Sequence, residues 1–271
     1  MFRKINRSWL SLLILLAVAI QGGVALPERA MASTYNCNGH CYAVSTWLRG
    51  GISGAQTMLA NVSNQVQAAD GFVTQELWLS QSSPPPGYVC NVLGTLENCW
   101  VEEGVKTEGL GGGTCAQSPS RRCYFWADVR PSNVAGNNFY QHPVDSVAAG
   151  DYGQSAKFAI YGDLSQQNFT VQTVTPHGTF YNFSQANLMH PDGYQIGVEL
   201  VGDTAFGSAV VPPSNFISTY YANGATWTPE TLTGSQSQYA GPLSRAWIAY
   251  PAPGNNGGQF LGWCASGGNI C

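Results

Sequence analysis

Residues 194–201 read Tyr-Gln-Ile-Gly-Val-Glu-Leu-Val, and this alternation constrains the fold more than any other stretch. Successive side chains of a β-strand point to opposite faces. Tyr194, Ile196, Val198 and Leu200 therefore form an apolar face that belongs in a core, leaving Gln195, Gly197 and Glu199 on the other side. Residues 99–106, Cys-Trp-Val-Glu-Glu-Gly-Val-Lys, have the same character. Here Val101, Glu103 and Val105 share one face, and Trp100, Glu102, Gly104 and Lys106 the other. A bulky aromatic, a carboxylate and a glycine in a row suit a groove in which something lies against the backbone. Together the two segments predict a β-scaffold that brings Glu102 and Glu199 to a common trough.

The rest of the chain repeats the pattern. Phe72–Ser80 and Cys123–Arg130 read as strands, the first stopped by Ser82-Ser83-Pro84-Pro85-Pro86-Gly87 and the second by Pro131. Lys157–Tyr161 and Phe169–Val174 read as a hairpin pair. Shorter runs at 42–44, 56–59, 178–183, 216–221, 247–250 and 260–263 complete a series of strands broken by Gly, Pro and Asn turns. Such spacing predicts an all-β protein, a double antiparallel β-sandwich of jelly-roll or concanavalin-like type. Neither a dividing linker nor an internal repeat interrupts it, so residues 33–271 are expected to form one domain.

Residues 1–32 have the layout of a secretory signal peptide. Arg3, Lys4 and Arg7 precede an apolar stretch from Trp9 to Ile20, and Ala30-Met31-Ala32 supplies an A-x-A cleavage site. The alternative is a retained N-terminal anchor. Export to the extracellular space, with no membrane attachment after cleavage, is the expectation. Beyond residue 32 the chain carries 7 basic and 14 acidic residues, a balance that argues against nucleic acid as a partner. The eight cysteines of an exported chain point to disulfides, which the simplest scheme pairs as 37–41, 90–99, 115–123 and 264–271.

Several chemistries lack their motifs. The sequence has no Gly-x-Ser-x-Gly elbow and no His-Glu-x-x-His, and its four histidines are scattered. Glu102 and Glu199 remain. Two carboxyls in a partly buried groove cannot both ionise easily, so one keeps its proton. The ionised partner can draw a proton from water as it attacks a carbonyl, and the protonated one can donate to the oxygen that becomes negative. Register decides between neighbours: a slip of one residue would exchange Glu102 for Glu103. Glu76 and Glu97 are weaker candidates.

The order of four motifs is similar to a known group. TQELWLS (74–80), CWVEEGVK (99–106), CYFWADVRP (123–131) and QIGVELVGD (195–203) resemble the glutamic-peptidase group of β-sandwich proteins, which includes the fungal eqolisins and the plant neprosins. The resemblance runs from about Gly54 to Phe216. Eqolisins carry a glutamine where this chain has Glu102, and neprosins a glutamate. The resemblance implies cleavage of a polypeptide substrate at acid pH without metal or cofactor. It implies Glu199 as the water-activating base, Glu102 as the oxyanion donor, and Trp78, Trp126 and Gln195 as groove-lining residues. Two other readings compete. One is a sugar-binding module that uses Trp78, Trp100, Tyr124 and Trp126 on a concave face. The other is a glycosidase built on the same carboxylates.

Overall fold

The computed structural model describes residues 40–63, 71–81, 90–92, 95–97, 99–109, 113–130, 139–163, 168–186, 191–201, 211–230, 236–240, 246–249 and 259–263. These form strands β1 (His40–Leu48), β2 (Gly54–Leu59), β3 (Phe72–Gln81), β4 (Cys90–Val92), β5 (Thr95–Glu97), β6 (Cys99–Glu108), β7 (Arg122–Val129) and β8 (Phe139–Ser146). A 3₁₀ turn follows at Ala149–Asp151. Next come β9 (Ala156–Asp163), β10 (Asn168–Thr175), β11 (Gly178–Ser184), β12 (Gly193–Val201) and β13 (Val211–Asn223). The last are β14 (Thr226–Pro229), β15 (Gln236–Ala240), β16 (Ala246–Ala249) and β17 (Gln259–Trp263). Among the described residues no helix is long and apolar enough to cross a membrane. The predicted signal peptide lies outside the described residues.

Two antiparallel sheets account for the sandwich. The first has the order β15-β1-β12-β3-β6-β7-β8. The second has the order β11-β10-β9-β2-β13-β17-β16, with β14 paired to β13. β4 and β5 make a separate hairpin. The core between the sheets is built by alternation. Trp47, Leu77, Leu79, Val101, Val105, Tyr194 and Ile196 from the first sheet meet Ala55, Leu59, Phe158, Ile160, Phe169, Val171 and Phe216 from the second. Trp47 stacks on Tyr194 at 5.0 Å between ring centroids.

This core is not purely apolar. Thr173 Oγ1 of β10 donates to Glu103 Oε2 of β6 across the interface at 2.8 Å. Gln75 Nε2 of β3 donates to Ser214 Oγ of β13. A fully buried carboxyl costs several kcal/mol when charged, so a partner from the facing sheet satisfies one of its oxygens and fixes how the sheets meet, while Glu103 Oε1 makes no hydrogen bond. At the rim, Arg49 Nε and Nη2 donate to the two oxygens of Glu230 at 2.9 and 2.6 Å, and the Tyr194 hydroxyl donates to the same carboxylate.

One local feature was not legible in sequence. β8 contains Pro143, which has no N–H for a ladder. It is accommodated because β8 is an edge strand and its pairing with β7 shifts between Tyr124 and Phe125. Of the predicted disulfides, Cys115–Cys123 is formed, with Cα atoms 5.4 Å apart. The pairings 37–41 and 264–271, and the partner of Cys99, lie outside the residues whose side chains are described.

Candidate active site

The face of the first sheet turned away from the core is where the singled-out residues meet. Register sets their neighbours. Tyr42, Glu199, Thr74 and Lys106 stand in one row across β1, β12, β3 and β6. Val44, Gly197, Glu76 and Gly104 form the next row, and Thr46, Gln195, Trp78 and Glu102 the one after. Paired residues of antiparallel strands point the same way. The face therefore presents three glutamates, Glu76, Glu102 and Glu199, each from a different strand. All three are buried, at 0, 5 and 7 % exposure respectively.

Glu102 is gripped from two sides. Trp78 Nε1 donates to Glu102 Oε2 at 2.9 Å and Trp100 Nε1 donates to the same oxygen at 2.7 Å. Burial and the nearby Glu199 charge push this carboxyl up to about 7, despite the indole donors and Lys106, which oppose the shift. Convergence of both N–H groups on Oε2 makes that oxygen the carbonyl-like one. The proton of the neutral acid then resides on Oε1.

Glu199 accepts a hydrogen bond from the Tyr42 hydroxyl, and burial together with the Glu199 charge holds Tyr42 well above the ordinary tyrosine range. The Tyr42 ring meets the edge of Trp78 at 6.5 Å. Burial chiefly, with the crowding of the three carboxyls, makes Glu102 and Glu76 keep their protons well into the range where ordinary carboxyls have lost them.

One end of the trough is closed. Lys106 Nζ is ion-paired to Glu108 Oε1 at 3.0 Å and donates to Gln141 Oε1 at 2.8 Å, with the Phe72 ring 4.0 Å beneath it. The backbone N–H groups of Thr114 and Cys115 donate to Glu108 Oε1 and Oε2 at 3.2 and 2.8 Å. The loop stapled by Cys115–Cys123 is therefore folded over this end. Cys115, Cys123, Phe125 and Ala127 form a second small apolar cluster there.

The structure sorts the predicted residues. Glu102, Glu199, Trp78 and the half-buried Gln195 share the trough face. Trp126 does not join them. It pairs with Glu103 in register, lies on the core face and stacks on His142 with ring centroids 4.4 Å apart. Tyr124 is also in the core. The aromatic segment misled because both faces of β7 are buried, so its alternation carries no polarity signal. Sequence reading gave Glu76 little weight and Tyr42 none, because their proximity depends on the register of strands far apart in the chain.

The glycines of the middle row are structural requirements. A Cβ on Gly104 would lie 2.1 Å from the Gln75 carbonyl oxygen and 2.7 Å from Glu76 Cβ. On Gly197 it would lie 2.5 Å from the Ala43 carbonyl oxygen. Neither obstacle is a flexible chain end. Gly104→Ala is expected to destabilise the fold by about 3 kcal/mol, measurable by denaturant unfolding.

No family model and no curated protein matches this chain. Two solved structures resemble it in fold. One is SCP-B, a member of the eqolisin family of peptidases, in complex with the tripeptide Ala-Ile-His. It has a TM-score of 0.50 and 7 % identity over 82 % of this chain and 98 % of that one. The other is Scytalido-glutamic peptidase with a peptide-based transition-state analog, with a TM-score of 0.49 and 7 % identity over the same shares. The fold is thus a glutamic-peptidase-like β-sandwich.

Proposed function

We propose that the protein is an exported, acid-acting endopeptidase of glutamic type, with residues 1–32 as its signal peptide and residues 33–271 as its working domain. The observation that carries this reading is the asymmetry of the two acids on one face. Burial first, and the Glu199 carboxyl next, push Glu102 up to about 7, and two indole N–H groups hold its Oε2 so that its proton resides on Oε1, whereas Glu199 meets the Tyr42 hydroxyl. Glu199 takes a proton from water as the water attacks the peptide carbonyl. Glu102 donates from Oε1 to the carbonyl oxygen as it gains negative charge. Glu199 then returns its proton to the departing amine. Trp78 and Trp100 orient Glu102, Tyr42 orients Glu199, and Gln195 in the Trp78 row lines the trough beside the substrate.

The sugar-binding alternative draws on aromatics that are committed elsewhere. Tyr124 and Trp126 face the core, and the indoles of Trp78 and Trp100 are turned to Glu102. The test is incubation of the protein lacking residues 1–32 with denatured protein substrates from about pH 2 to about pH 7, read by mass spectrometry of the fragments. Internal cleavage that declines as Glu102 loses its proton near pH 7 is expected. Absence of cleavage at every pH overturns the proposal, and release of reducing sugar from polysaccharide in its place assigns the pair to glycoside hydrolysis.

A further inference from the structure

The register leaves a gap between the two proposed reacting acids, and one side chain fills it. Glu199 is opposite Thr74 and Glu102 is opposite Trp78, so the two are separated by β3 and by four residues along it. Their Cα atoms are therefore offset by roughly 13 Å along the strands and roughly 10 Å across them. Glu76 lies midway on that diagonal. It is opposite Gly197 on one side and Gly104 on the other, so no side chain flanks it laterally.

Its own bonds are one-sided. The Thr74 hydroxyl donates to Glu76 Oε1, whereas Oε2 is buried and makes no hydrogen bond within the protein. An acceptor bond on Oε1 marks it as the carbonyl oxygen and leaves the hydroxyl at Oε2. A buried O–H without a partner costs about 1–3 kcal/mol. Such an atom is retained at a functional position when something that arrives there satisfies it.

We propose that Glu76 is a positioning residue for the Glu102–Glu199 reaction: a neutral third carboxyl whose Oε2 hydroxyl hydrogen-bonds to the water or substrate group held between the other two. This rests on the peptidase reading above. The groups that face Glu76 are Glu102 and Lys106 of β6, Glu199 of β12 and Tyr42 of β1. Burial first, then the neighbouring Glu102 and Glu199 carboxyls, favour its protonated form, opposed by Thr74 and Lys106.

The test compares Glu76→Leu and Glu76→Gln with the wild type on a peptide substrate near the acid optimum. Leucine removes the donor but fills the space, and burying it in place of a carboxyl does not threaten folding. Glutamine keeps a neutral donor in the same place. The expected result is a fall in kcat of about tenfold or more for Glu76→Leu, with KM changed less than about threefold, and recovery of most of kcat in Glu76→Gln. The infrared difference between wild type and Glu76→Gln near pH 6 should also show a protonated-carboxyl band, present in the wild type in addition to those of Glu102 and Glu103 and missing from the variant. Full kcat in a folded Glu76→Leu, equal losses in both variants, or absence of that band overturns the proposal. Failure of the wild type to cleave any peptide is a separate result, which removes the peptidase reading and this inference together.

Discussion

Glu199→Gln is expected to lower kcat by about 10²–10⁴-fold, while Glu102→Gln retains a substantial part of it. The difference follows from what each group must do. Glu199 must accept a proton, and an amide cannot. Glu102 must donate a hydrogen bond, and an amide can. In Glu102→Gln the side-chain carbonyl can occupy the Oε2 position and receive both indole N–H groups, as Oε2 does now. Its NH₂ then points where the Oε1 proton was. The variant also loses the titrating group that sits at about 7, so its activity should extend further toward neutral pH than that of the wild type. The pH dependence of kcat for both variants checks this. Equal damage from the two substitutions, or an active Glu199→Gln, would remove the assigned roles.

The second large effect is on stability. Glu76, Glu102 and Glu103 are all buried and all raised, chiefly by desolvation. A carboxyl whose folded-state value lies above its unfolded one binds its proton more tightly when folded. Its stabilising contribution is complete below the ordinary carboxylate range and is lost as pH climbs through the raised value. For Glu102, passage from 4.5 to about 7 corresponds to about 3 kcal/mol at about 1.4 kcal/mol per pH unit. In a protein of this size that is about 10 °C in Tm between pH 4 and pH 8. Glu103 adds to the loss, since it is raised well above the usual range despite Thr173, the Ala159 backbone and Lys157, which oppose the shift. Calorimetry across this pH range should show Tm falling with pH, and the fall should be shallower in Glu103→Gln. A Tm that is flat or rises toward pH 8 would contradict this account.

How much of this was legible beforehand depends on whether the two faces of a strand differ in polarity. β12 was readable residue by residue, because Tyr194, Ile196, Val198 and Leu200 are all buried opposite a polar side. β6 was readable for the same reason, including the choice of Glu102 over Glu103 for the trough. β7 was not: Phe125 is covered by the Cys115–Cys123 loop while Trp126 packs in the core, so neither face is marked as solvent. The trio of carboxyls was hidden for another reason. Glu76 reaches Glu102 and Glu199 only through strand pairings, and the order β12-β3-β6 cannot be extracted from local pattern.

Glu102 and Glu103 are consecutive residues, yet one faces the trough and the other the interior. The same shift in acidity that would silence the chemistry on one side of the strand loosens the seam between the layers on the other. Carried into neutral surroundings, such a hydrolase would lose its acid donor and, with it, part of the hold between its layers. Its lifespan would be limited from within, with no inhibitor needed.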